Sequence, residues 1–146
     1  MYLLDTNIIA TLLLGTKPSD EEINIHDWLL QKSGSLYMCA ISVAEIEAGI
    51  AKSERQGASR KAEDLSRWLD NVLDAYADRI LPLDIVSARL AGRLLDKAYG
   101  AGGSPDFEDA AIAAIAHSKH FLVLTRNARH FQLFGVPFIN PYEHLP

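Results

Sequence analysis

A chain of 146 residues, 49% hydrophobic and 23% charged, can build one packed core, so a single domain over residues 1–146 is expected. Its formal net charge of −5, from 19 acidic against 14 basic residues, excludes a broadly basic nucleic-acid coat, although carboxylates gathered round a cation would account for part of the excess. The lone Cys39 excludes a disulfide framework and a thiolate zinc site, and no apolar run approaches the ~18 residues of a membrane span.

Tyr2-Leu3-Leu4 is a short apolar run ending at Asp5, a buried first strand in outline. This opening lacks the basic start and long apolar stretch of a secretory signal, so the cytoplasm is the expected compartment. Thr6 and Asn7 are placed to cap an apolar helix that Gly15 stops, and Ser19 with Glu22 forms a capping box for a helix to about Lys32. Leu36 to Ile41 reads as a second strand. Ser42-Val43-Ala44-Glu45 has the pattern of another capping box, opening a helix towards Glu54.

After Gly57, the residues Leu65, Trp68, Leu69, Val72, Leu73 and Tyr76 recur at helical spacing, a stripe for the core or for a dimer face. Arg79 to Leu83 is a third strand, Asp84 leads a helix through Leu95, and Tyr99 to Pro105 is a Gly-rich loop whose Gly100 to Gly103 portion is expected to be mobile. Asp106 opens a helix whose alanines, Ala110, Ala111, Ala113, Ala114 and Ala116, permit close approach to a sheet. Phe121 to Leu124 is a fourth strand, followed by Thr125-Arg126-Asn127. Val136 to Ile139 is a short last strand before a tail from Pro141. Strands alternating with helices predict an α/β fold: a parallel sheet of four to five strands between two helical layers.

In such a sheet Asp5, Glu45, Asp106 and Asp109 would gather at the carboxyl ends of the strands, where open α/β folds build their sites. Each acid except Asp5, which capping is not expected to explain, has a structural alternative. Glu45 could complete a capping box with Ser42, Asp106 could be an N-cap, and Asp109 could favour the dipole of its own helix. Asp5 follows directly on a buried strand, and an unpaired charge there costs several kcal/mol, so it needs a cation or several donors. Clustered carboxylates raise one another's pKa, and a divalent cation reverses that penalty. Oxygen-only ligands favour Mg²⁺ or Mn²⁺ over zinc.

The runs "LLDTN", "SVAEIEAG", "DFEDAAIAAIA", "LVLTRNARHF" and "NPYE" together resemble PIN-domain ribonucleases, and more narrowly the VapC toxins with their FitB-like branch. The resemblance extends over essentially the whole chain. It implies that Asp5, Glu45 and Asp109 are the catalytic and metal-binding acids, with Mg²⁺ or Mn²⁺ as cofactor and Asp106 as a stand-in ligand. Asn127 and His130 stand where many members carry further acids, which leaves one metal favoured over two. Thr6, Asn7 and Ser42 fall beside the acids, and Arg126, Arg129 and His130 fall where a phosphate would lie.

The implied function is a metal-dependent endoribonuclease toxin of a type II pair. Its partners would be an RNA substrate, a cognate antitoxin that inserts an arginine near Asp5 and Asp109, operator DNA reached through that antitoxin, and a second copy of the chain. Two other classes stay open. One is a catalytically weak PIN-fold binding module, motivated by the missing fourth acid. The other is a phosphatase with a strand-end aspartate nucleophile, which would want a second aspartate where Asn7 stands. His26, His117, His120 and His144 show no paired spacing, Gly-x-Ser-x-Gly is absent, and Lys52, Arg55, Arg60, Lys61 and Arg67 are either a solvated face or an RNA contact.

Overall fold

Each strand of the sheet is only two to four residues long, yet almost every strand residue is apolar, the signature of a sheet covered on both faces. The computed structural model describes residues Met1 to Pro146. Five parallel strands, β1 (Tyr2–Leu4), β2 (Leu36–Cys39), β3 (Ile80–Leu81), β4 (Leu122–Leu124) and β5 (Phe138–Ile139), lie in the order β3-β2-β1-β4-β5. Seven helices connect or flank them: α1 (Thr6–Ile9), α2 (Asp20–Gln31), α3 (Ala40–Arg55), α4 (Ser59–Ala75), α5 (Ile85–Gly100), α6 (Phe107–Lys119) and α7 (Ala128–Phe134).

Alternation along the strands divides the core in two. Leu3, Cys39 and Val123 face α5, α6 and α7, where Ala110 to Ala116, Phe131 and Phe134 are buried. Leu4, Leu36, Met38 and Leu124 face the other way, onto Ile8, Ile25, Leu29, Val72 and Tyr76 of the α1, α2 and α4 side. This is the expected three-layer α/β/α arrangement. Each large side chain buried this way contributes about 1.5–3 kcal/mol, which outweighs the thin hydrogen bonding of such short strands. The stripe on α4 belongs to the core: Leu69, Val72 and Tyr76 are buried, and Trp68 packs half-buried beside them.

Several boundaries differ from the sequence expectations. The second strand stops at Cys39, and α3 starts at Ala40, so Ser42 lies inside the first turn rather than at its cap. Ser42 is fully buried with its Oγ 3.7 Å from Cys39 Sγ, and no capping box forms with Glu45. Helix α5 runs on to Gly100, past the expected end at Leu95. It closes in a Schellman motif: Gly102, at φ +83°, donates from its N–H to the Tyr99 carbonyl at 3.0 Å, and the Gly103 N–H donates to the Ala98 carbonyl at 2.9 Å. Gly103 also sits so close to α7 that an added Cβ would lie 2.3 Å from Leu133 Cδ1. The glycine-rich segment is therefore docked on α7 rather than free. Helix α7 itself fills a stretch that the apolar pattern left unassigned.

Candidate active site

Strand order turns at β1, whose neighbours lead to β2 on one side and β4 on the other, so the crevice at their carboxyl ends is the switch point of the sheet. Asp5 occupies it. The Asp5 N–H extends the ladder to the Leu124 carbonyl at 3.0 Å, and its side chain is only 3% exposed. Oδ1 accepts from the Thr6 N–H at 2.7 Å, which makes Asp5 the N-cap of α1. Oδ2 accepts from Asn7 Nδ2 at 2.8 Å and from the Thr125 hydroxyl at 2.6 Å. Both carboxyl oxygens are thus held by donors, one of them from the end of the neighbouring strand. Capping does explain part of Asp5, contrary to the sequence expectation.

Glu45 approaches from α3. Freed of any capping role, its Oε2 accepts from the Thr6 hydroxyl at 2.5 Å. Asp109 stands in the first turn of α6 but is not spent on that helix: its Oδ2 accepts from Asn127 Nδ2 at 2.8 Å and is bonded by His130 Nδ1. His130 Nδ1 also lies 2.8 Å from Asn127 Nδ2, so the three side chains meet at one point. The Asn127 N–H in turn donates to Thr125 Oγ1 at 2.8 Å, linking the Asp5 and Asp109 arms through one hydroxyl. The Arg126 N–H donates to Asn7 Oδ1 at 3.1 Å.

The structure therefore joins Asp5, Thr6, Asn7, Glu45, Asp109 and Asn127 in one network, with His130 completing it. Thr125 and His130 are the members whose bonds sequence reasoning missed. Thr125 had a visible signal, since it follows an apolar strand just as Asp5 does. Ser42 lies outside the network. Asp106 is the N-cap residue of α6 without a side-chain cap bond and is exposed, although its charge reaches Glu45. Arg126 and Arg129 are both exposed and form no ion pair. Lys52, Arg55, Arg60, Lys61 and Arg67 are all exposed, and Arg67 pairs with Asp64 at 3.8 Å.

Burial pushes the Asp5 carboxyl up to about 6; the Thr125 and Thr6 hydrogen bonds oppose this, and the charges of Asp109 and Glu45 reinforce it. Glu45 is raised too, by burial and then by Asp109, Glu108 and Asp106, against the bond from Thr6. Neighbouring negative charges that disfavour ionisation of Asp5 and Glu45 are what a dication would relieve. No three His, Cys, Asp or Glu side chains stand close enough to form a ready-made metal cage. The donors suit an open site instead. Mg²⁺ is commonly held by one or two carboxylates with water filling the remaining positions, and all the acids here are oxygen donors. Cys39 is buried and its thiol is pushed up by that burial, which keeps it inert.

A family model for the PIN domain matches residues 2–135. The chain belongs to the PIN-domain family. Its relatives place it with the VapC and FitB toxins. It is 38% identical to plasmid stability protein StbB of Pseudomonas syringae over 98% of this chain and 99% of that one. Identity to the VapC ribonuclease Y4jK of Sinorhizobium fredii is 33%, over 98% of this chain and 99% of the relative. The crystal structure of FitAcB from Neisseria gonorrhoeae superposes with a TM-score of 0.82 at 32% identity, covering 99% of this chain and 100% of that one. As a PIN domain, the chain carries its acids where the fold brings strand ends together.

Proposed function

We propose that this PIN-domain toxin is a divalent-cation-dependent endoribonuclease, restrained by a cognate antitoxin that also links it to operator DNA. The observation that carries this is the convergence of Asp5, Glu45 and Asp109, from three different elements, on a network that serves no folding role common to all three. A relative's name includes ribonuclease, and its structural neighbours include FitAB bound to DNA, at a TM-score of 0.79 and 30% identity. These support the reading of substrate and partner. Asp5, Glu45 and Asp109, with Asp106 in reserve, would supply one or two carboxylates to a Mg²⁺ or Mn²⁺ ion completed by water, and that ion would lower the pKa of a bound water and screen the phosphodiester's charge.

The chain's own part is positioning. Thr6 holds the Asp5 and Glu45 arms in one geometry, since its N–H serves the first and its hydroxyl the second. Asn127 and His130 fix one oxygen of Asp109 and leave the other free to face a ligand. Exposed Arg126 and Arg129 follow the same strand end and would meet the RNA backbone. The second reading, a PIN fold that binds without cutting, is favoured by the amide and imidazole at Asn127 and His130, where a fourth carboxylate is absent. Expression of the wild-type chain should arrest growth, and Asp109→Asn should abolish the arrest while the purified variant keeps its circular dichroism spectrum. Equal toxicity of a well-folded Asp109→Asn protein would contradict the ribonuclease reading.

A further inference from the structure

Arg126 is exposed, and its guanidinium lies over an aromatic ring. Its guanidinium lies 4.3 Å from the centre of the Tyr142 ring, and that ring is anchored at two points: the hydroxyl is 3.1 Å from Thr11 Oγ1, and the Tyr142 N–H donates to Asn140 Oδ1 at 3.1 Å. The backbone of Arg126 is pinned by Asn7, whose amide also serves Asp5. Stacking occupies the flat face of a guanidinium and leaves its five in-plane N–H donors unused, and here none of them meets an acid or a carbonyl of the chain. Arg126, Asn7, Thr11 and Tyr142 line a cleft of about 140 Å³. At about 30 Å³ per water, that volume holds a phosphate group with some of its hydration. Glu22, the other charge on this cleft, has its carboxylate tied to the Ser19 N–H at 2.8 Å.

We propose that Arg126, laid on Tyr142, clamps a backbone phosphate of single-stranded RNA flanking the bond that is cut, and that Tyr142 is the positioning residue for it. This rests on the ribonuclease reading and deepens it, by selecting Arg126 over Arg129 and giving the C-terminal tail a task. A planar fork of donors lining the cleft can match phosphate oxygens bidentately, which a freely rotating lysine does not.

The test is fluorescence anisotropy of a labelled single-stranded RNA in EDTA, so that binding is read without cleavage. Arg126→Ala should weaken binding about tenfold, since it removes charge-assisted hydrogen bonds. It should also reduce the slope of log K against log salt by about 0.7, the value for one phosphate contact on a single strand. Arg126→Lys should recover only part of the affinity, Tyr142→Leu should resemble Arg126→Ala, and Tyr142→Phe should bind as wild type does. Wild-type affinity and salt slope in Arg126→Ala, an exposed position whose change does not threaten the fold, would overturn the clamp while leaving the ribonuclease reading intact. The same holds if Arg126→Ala loses only the antitoxin. Absence of RNA binding by the wild-type chain, in EDTA and with Mn²⁺ alike, would overturn both.

Discussion

Thr6 is the smallest group on which the whole site depends. Its N–H and its hydroxyl serve two different carboxylates, so Thr6→Val should preserve shape and helix while releasing Glu45. Loss of such a supporting bond commonly costs about 10–100-fold in metal affinity or activity, and a Mn²⁺ titration should show that loss, with Thr6→Ser restoring it. Asp5 predicts a pH dependence. Its carboxyl is raised from 3.8 to about 6, so between those values the folded chain holds a proton that the unfolded chain has released. The stability it contributes is complete below 3.8 and is lost as pH rises through about 6, roughly 3 kcal/mol by neutral pH. The raised carboxyl of Glu45 acts in the same direction. Thermal melts in EDTA should therefore show wild type losing stability relative to Asp5→Asn between pH 4.5 and about 6.5, with no further divergence above. A constant difference across that range would remove Asp5 from the account.

At the scale of elements, the docking of the α5–α6 turn on α7 sets where Asp109 and His130 meet. Gly103→Ala places a methyl 2.3 Å from Leu133 Cδ1 and 3.2 Å from the Ala98 carbonyl, so the half-buried Leu133 must shift from its place against the core to admit it. Such overpacking costs about 1–3 kcal/mol, and calorimetry should show a melting temperature lower by several degrees. Much of this level was legible in the chain. Apolar runs marked β1, β2 and β4, the first and last of them ended by Asp5 and Thr125, and the Ser19 and Glu22 capping box forms as expected. The failures have one physical origin, that local patterns compete with the sheet. Ser42 matched a capping motif, but the chain turns into α3 two residues earlier, where burial of Ser42 and Cys39 outweighs a cap. For the same reason Glu45, which that motif would have explained away, is free for the site. Tyr142 could not have been found at all, because only the folded tail brings it back to Arg126.

Across the whole molecule, a small parallel sheet packed on both faces lends rigidity to a crevice that gathers like charges against their preference. The acids come from residues 5, 45 and 109, and only the order β3-β2-β1-β4-β5 brings them together. A bound cation would relieve that repulsion and couple its binding to folding, so Mn²⁺ should raise the melting temperature of wild type at neutral pH and leave Asp109→Asn unmoved. No helix is long and apolar enough to cross a membrane. The most direct test of the central claim is single-turnover cleavage of a single-stranded RNA by protein stripped of metal and titrated with Mn²⁺. The account predicts no cleavage without metal, a saturable rise with Mn²⁺ in wild type, and none at any concentration in Asp109→Asn. Cleavage at full rate in EDTA, or an active Asp109→Asn protein, would contradict it.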